Sequence, residues 1–366
     1  MKNSQLYLKN RFSILEYRFS LKTGIIVYVI LFILLTSGIS CKKDTPTSNT
    51  STDSQLDNAF SSAAQIPNLK SLVVFKDNRI VREEYFGGCD SNSLFDVRSN
   101  TKSIMATLIG IAIDKGYIHS ENDTIGTYLR RLDVNIDSVK ANITIRDLLS
   151  MTSGISGNEL TNASDYNNWF NSSNQVNYTL NTSMANQPGQ IFNYISGVAH
   201  LTSAILTRAT GMSTFQFAKQ YLFQPLGIAD HYWQTDKQGI YNGGAGLNLT
   251  AHDMIKIGEL YLNNGDYNGV QVVSQAWIDK ATSFKITTNN AQPFGPSYGY
   301  FWWIGNIHGH DYFWANGYGG QFIVVVRDIN LVVSATNTWS GVATATANQQ
   351  WYSTLDIIMN KILPAY

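Results

Sequence analysis

The sequence predicts an α+β fold in which one antiparallel sheet is interrupted by a long helical region. Three observations carry that expectation. A β-hairpin pattern opens the body of the chain near residue 71. From about 120 to 285 the strand signal fades and helical periodicity dominates. Strand patterns then return from residue 298, followed by one last helix. A sheet divided by a helical insertion leaves a cleft between two regions, where sites tend to form.

The elements follow in order. Ser71 to Phe75 and Ile80 to Phe86 are β-rich runs on either side of Lys76-Asp-Asn-Arg79, so they read as a hairpin around an Asp-Asn turn. Ser99 to Lys115 reads as a helix closed by Gly116. Its apolar residues Ile104, Met105, Leu108, Ile109, Ile111 and Ile113 cover nearly the whole circumference, which marks a helix buried on all sides. In the middle, Val198, Leu201 and Ile205 before Gly211, and Met254 to Leu262, have helical spacing. Tyr298 to Ile304, Tyr312 to Ala315, Gln321 to Val326 and Leu331 to Thr336 read as strands, with a turn at Arg327 to Asn330. Trp351, Leu355, Ile358 and Ile362 recur at helical spacing. No internal repeat is visible.

Composition narrows the class. Apolar residues at 44% and charged residues at 14% exclude a disordered chain and a coiled coil. The 26 basic and 26 acidic groups are unevenly spread, with Lys2, Lys9, Arg11, Arg18 and Lys22 against Glu16 alone in the first forty residues. The remainder is mildly acidic with no basic stripe, which argues against nucleic acid as a partner. Two cysteines, Cys41 and Cys89, are too few for a disulfide scaffold or a multi-cysteine zinc module, and Cys89 is expected to pack.

Residues 1–40 read as an address. Gly24 to Thr36 is uncharged, follows a basic segment, and is short for a membrane span of roughly 20 residues. Ser37-Gly-Ile-Ser-Cys41 resembles the cleavage box of bacterial lipoproteins, in which the cysteine becomes the lipid-bearing first residue. The resemblance implies lipidation of Cys41 and a place in the bacterial cell envelope; the other reading is an uncleaved anchor. Residues 41–55 are expected to form a flexible polar tether, and 56–366 a single catalytic domain, with its helical region at about 99–285.

Ser99 and Lys102 are the first candidates for chemistry. A serine at the first turn of a buried helix feels the positive end of the helix dipole, and a lysine three residues on lies on the same face. Once desolvated, that lysine can give up its proton and accept one from the serine. Ser40 and Lys43 repeat the spacing at the leader boundary, but only Ser99 opens the central helix. The plainer reading is that Ser99 is an N-cap.

A hairpin followed by Ser-x-x-Lys on a buried helix resembles the opening of the serine β-lactamase and penicillin-binding-protein superfamily. Further stretches are similar to its class C β-lactamase-like branch, whose relatives include carboxylesterases, D-amino-acid peptidases and six-aminohexanoate-dimer hydrolases. They are Thr144 to Ile155 (with Met151 where histidine is common), Pro188-Gly-Gln-Ile-Phe-Asn-Tyr194, Gly243 to Gly258, Tyr298-Gly-Tyr300 with Trp302-Trp303, and Gly317-Tyr-Gly-Gly-Gln321. The resemblance covers about 55 to 366. It implies a β-lactamase/transpeptidase-like fold, with the antiparallel sheet flanked by N- and C-terminal helices. It also implies acyl transfer through Ser99, with Lys102 and Tyr194 as acid and base, and an oxyanion hole from the N–H groups of Ser99 and Tyr318.

The family pattern Tyr-x-Asn appears here as Tyr194-Ile195-Ser196, and Ser196 can donate a hydrogen bond but lacks the paired donor and acceptor of an amide. Two literal Tyr-x-Asn triplets, at Tyr166 and Tyr261, lack the right approach and read as decoys. Ser196, Asn316, Trp169 and Trp303 are candidate substrate contacts. No cofactor or metal is expected: His308-Gly-His310-Asp311 has no second cluster, Gly243 to Gly246 reads as a turn at the cleft, and Glu159 reads as a loop residue. There is no Gly-x-Ser-x-Gly elbow. The expected partner is a small-molecule or peptide substrate, with the oligomeric state open. A catalytically silent ligand-binding lipoprotein, and a true β-lactamase or D-peptidase, stand as alternatives.

Overall fold

The computed structural model describes residues 50–130, 136–289 and 291–366, so the leader and Cys41 lie outside the described residues. The first element, α1 (Thr50–Ala63), begins inside the stretch expected to be a tether. Its Ser, Thr, Asn and Asp residues mask a helix. Leu56, Ala59, Phe60 and Ala63 recur at helical spacing and are all buried, and that apolar face holds the polar run in place.

The hairpin forms as β1 (Leu69–Lys76) and β2 (Arg79–Tyr85), with Asp77 and Asn78 at φ 49° and 62°. Both turn residues are types that tolerate left-handed backbone. Next come β3 (Phe95–Asp96) and the central helix α2 (Asn100–Asp114). Gly110 brings α2 against Trp277: a Cβ there would lie 2.2 Å from the indole. Trp277 Nε1 donates to the Ala106 carbonyl at 3.0 Å. Short helices then lead to α3 (Ser196–Thr210), β4 (Asn248–Leu249) and α4 (Ala251–Leu262). The two-residue strands β5 (Asp266–Tyr267) and β6 (Val270–Gln271) pair only with each other.

The sheet is completed by β7 (Ile286–Thr287), β8 (Ser297–Tyr298), β9 (Trp303–Ile307), β10 (His310–Gly317), β11 (Gln321–Val326) and β12 (Leu331–Asn337). Its order is β2-β1-β12-β11-β10-β9-β8-β7, antiparallel at every pairing. One strand expected over Tyr298 to Ile304 is in fact two. The chain reverses at Tyr300 and Phe301, with Gly299 N–H donating to Trp302 O at 2.8 Å and Phe301 at φ 58°. An aromatic residue in left-handed backbone gives no turn signal, so β8 and β9 read as continuous.

Phe322 and Ile323 point to opposite faces of β11, because side chains alternate along a strand. Trp351 of α5 (Thr344–Ile357) packs on Phe322 at 5.7 Å between ring centroids. Gly258 of α4 lies against Ile323 and Val332. The two helices therefore cover the two faces. That is why β11 and the body of β12 read as unbroken apolar runs rather than as alternation. Among the described residues no helix is long and apolar enough to cross a membrane.

Candidate active site

The nucleophile candidate is held by a short clamp. β3 pairs with β4, and Val97 N–H donates to Leu247 O at 2.9 Å. The chain then turns at Arg98, in left-handed backbone at φ 49°, and enters α2 with Ser99 at the N-cap position. Ser99 makes no side-chain cap bond. Its hydroxyl instead accepts from Lys102 Nζ at 2.9 Å, so the reading of Ser99 as a plain helix cap fails on geometry.

Lys102 is almost fully buried. Besides Ser99, its Nζ reaches Ser196 Oγ at 3.0 Å and the Gly244 carbonyl at 2.8 Å. Burial pulls its pKa down from the ordinary lysine value to about 7; the Glu159 charge acts against that fall and the Arg98 charge adds to it. An amine with that value offers a lone pair near neutral pH.

Gly244 reaches the lysine because glycine allows close approach. A Cβ on it would lie 2.9 Å from Ser196 Cβ, and Asn242 Oδ1 caps the turn by accepting from Gly244 N–H at 2.8 Å. The stretch Gly243 to Gly246 is thus the backbone turn at the cleft that its composition suggested.

Tyr194 lies just before α3, with its ring centroid 4.7 Å from Lys102 Nζ. Trp303 stacks on it at 5.8 Å and 29°. Burial drives the Tyr194 phenol well above its ordinary pKa, against the hydrogen-bonding Ser99 hydroxyl, with Glu159 pushing further and Arg98 pulling back. A phenol held that high stays protonated, so of the two groups Lys102 is the one able to act as base and Tyr194 the one able to act as acid.

Ser196 opens α3. Its N–H donates to Glu159 Oε1 at 2.6 Å and its hydroxyl to Glu159 Oε2 at 2.7 Å. Sequence reasoning passed over Glu159 as a loop residue. The loop is pinned to the site by Glu159 N–H donating to Tyr194 O at 2.9 Å.

Tyr318 starts the tip between β10 and β11, and its side chain is exposed. A Cβ on Gly317 would lie 2.6 Å from Val97 O, so this tip runs close beside the Ser99 turn. Among the described residues, neither Ser99 N–H nor Tyr318 N–H donates to a protein acceptor. Asn316 Oδ1 accepts from Trp351 Nε1 at 2.7 Å. Trp169 is buried against Gly197, donates to Gln175 O at 3.2 Å, and lines a cavity of about 70 Å³ with Asp165 and Tyr178. Trp303 is buried too and supports Tyr194.

Of the decoys, Tyr261 is a core residue bonded to Thr107, and Tyr166 accepts from Arg98 Nη2 at 3.3 Å. His308 and Gly309 form the turn between β9 and β10. His310 Nδ1 pairs with Asp328 at 2.6 Å at the far end of β10 from Gly317. Unforeseen in the sequence was the contact of the Arg98 guanidinium with the Trp339 ring, at 4.1 Å.

A family model described as Beta-lactamase matches residues 56–352. A 6-aminohexanoate-dimer hydrolase of Paenarthrobacter ureafaciens is 25% identical over 261 residues, or 66% of this chain. That alignment spans 65% of the relative's own length, just under two thirds. The octameric penicillin-binding protein homologue from Pyrococcus abyssi superposes with a TM-score of 0.66 at 19% identity, covering 85% of this chain and 77% of that one. EstCE1, a hydrolase with promiscuous acyltransferase activity, superposes with a TM-score of 0.66 at 16% identity, covering 83% and 98%.

Proposed function

The chain belongs to the Beta-lactamase family, and on that premise we propose that it is a serine hydrolase cleaving an ester or amide bond through an acyl-enzyme on Ser99. One observation carries the reading: the hydrogen-bond geometry around Lys102 leaves its lone pair a single useful direction. As a neutral amine, Lys102 has two N–H bonds and one lone pair. Gly244 O can only accept, and Ser196, whose one hydroxyl proton goes to Glu159, can only accept as well. The lone pair therefore faces Ser99 Oγ, 2.9 Å away.

In the proposed reaction, Ser99 Oγ attacks the substrate carbonyl as its proton passes to Lys102. The developing oxyanion lies between the N–H groups of Ser99 and Tyr318, and the N-terminus of α2 adds its positive dipole end. Tyr194 protonates the leaving group and, as the phenolate so formed, takes a proton from the water that releases the acyl group, while Lys102 returns its proton to Ser99 Oγ as the acyl bond breaks. The relatives' names include a 6-aminohexanoate-dimer hydrolase and a hydrolase with acyltransferase activity, and a small-molecule or peptide substrate is proposed here on the same grounds.

Labelling by an activated fluorophosphonate tests the reading. The wild-type chain should take up the probe at Ser99, located by mass spectrometry, and Ser99→Ala should not. An intact, folded wild-type protein that stays unlabelled would instead support a silent ligand-binding relative.

We also propose, from the sequence of residues 1–41, an exported lipoprotein of the cell envelope with a lipid on Cys41. Cys41→Ser should then move the protein from the membrane fraction to the soluble or unprocessed pool. An unchanged membrane fraction with residues 1–40 still attached would favour a plain N-terminal anchor.

A further inference from the structure

Where the family resemblance calls for an asparagine, this chain has a serine and, from another loop, a carboxylate. Both polar hydrogens of Ser196 go to Glu159, one to each oxygen. That fixes the direction of the hydroxyl. Were it reversed, Ser196 would donate to Lys102, and the lone pair of the amine would turn away from Ser99 to receive it.

We infer that Glu159 is a positioning residue: acting through Ser196, it aims the lone pair of Lys102 at Ser99, and its charge faces the ammonium formed when Ser99 gives up its proton. The inference rests on the serine hydrolase reading. The step balances simply. As Ser99 Oγ bonds to the carbonyl carbon, its proton moves to Lys102 Nζ, and Glu159 neither gives nor takes one.

The groups facing this pair come from several elements. Arg98 lies in the turn before α2, Tyr194 before α3, and Tyr166 and Asp165 on the short helix Ala163–Phe170. Burial raises the Glu159 carboxyl above the ordinary carboxylate range, while the Lys102 charge and the two Ser196 bonds hold it back. A protonated Glu159 would donate to Ser196 Oγ and release the hydroxyl. Glu159→Gln imitates that state permanently, since its amide can donate to the same oxygen.

The test measures the rate of Ser99 labelling, and the burst with a short acyl nitrophenyl ester, from about pH 5 to about pH 10, a range that brackets the buried lysine. Glu159→Gln should lower the plateau rate by about 10²-fold, the usual scale for a misdirected catalytic group. Its acid limb should move to lower pH, because the carboxylate that helps Lys102 keep its proton is gone. Ser196→Ala should also lower the plateau, and Ser196→Thr, which keeps a hydroxyl, should recover most of the loss. Melting curves show whether each variant folds; should Glu159→Gln fail to, the alanine and threonine pair decides the same question. A labelled wild type with Glu159→Gln matching it in plateau and limb overturns the inference alone. A wild type that does not label removes the hydrolase reading and this inference with it.

Discussion

Lys102→Ala is expected to lower kcat on a short acyl ester by about 10²- to 10⁴-fold, the range for losing acid–base help. The size follows from the division of labour in the site. Tyr194 stays a neutral phenol, so no second base stands beside Ser99 once the amine is removed. Lys102→Arg should be nearly as damaging, since a guanidinium keeps its proton at any working pH. The pH profile carries the sign. With Lys102 titrating at about 7, the wild-type rate should rise as pH passes upward through that value, where the ammonium becomes an amine. Both variants should lose that limb. Circular dichroism checks the fold, because truncation leaves buried acceptors at Gly244 and Ser196 unpaired, at roughly 1–3 kcal/mol each. A near-normal kcat in a folded Lys102→Ala protein would remove the lysine from the mechanism.

A preference for short-chain esters or linear amides over cephalosporins, by at least about 10²-fold in kcat/KM or about 2.7 kcal/mol of transition-state binding, is the second expectation. Most class C β-lactamases carry Lys-Thr-Gly on the inner strand, with a cation for the substrate carboxylate, and it is to their branch that stretches of this sequence are similar. Here β10 runs from His310 to Gly317 without a lysine or arginine. Asn316 has its oxygen engaged by Trp351 and brings no charge. Charge-assisted bonds are roughly twice as strong as neutral ones. His310 cannot substitute: it sits seven residues along the strand from Gly317, roughly 20 Å away, and pairs with Asp328. Arg98 is a cation beside Ser99, but it lies over Trp339 and within 3.6 Å of Asp96. A chromogenic cephalosporin assayed beside a short acyl ester decides the matter. Equal efficiency on both would mean that Arg98 or another group holds the carboxylate, and β-lactamase would become the better reading.

Much of this was legible because it is local. The runs Gln321 to Val326 and Leu331 to Thr336 announce strands through β-branched residues and a polar turn, and they pair as β11 and β12. Ser99 and Lys102 lie one helical turn apart, so their spacing already implies that they touch. Glu159 was not legible for the opposite reason. It meets Ser196 across 37 positions, from a loop with no period. The Asn316–Trp351 bond and the Arg98–Trp339 contact likewise join elements whose meeting depends on the finished fold. The start of α1 was hidden because a Thr, Ser and Asp run favours helix only when its few apolar residues find a partner. The break between β8 and β9 was hidden because strain at Phe301 leaves no mark in composition.

The seam between β1 and β12 bears on how the protein is made. Ser71 and Thr336 share a hydrogen bond across this seam, 265 positions apart. At roughly 5–20 residues per second, a ribosome delivers β12 about 13–50 s after β1. Throughout that interval the apolar run Leu72 to Phe75 has β2 on one edge and nothing on the other. An open strand edge is a template for aggregation, and long-range pairing of this kind folds slowly. The Ser99 turn waits as well, since β10 and β11 beside it belong to the last part of the sheet. A nascent chain released short of Leu331 would carry Ser99, Lys102, Tyr194 and Glu159 and still lack the strand that joins the hairpin to the rest of the sheet. The surroundings of Ser99 are thus completed late, after the hairpin edge has stood open.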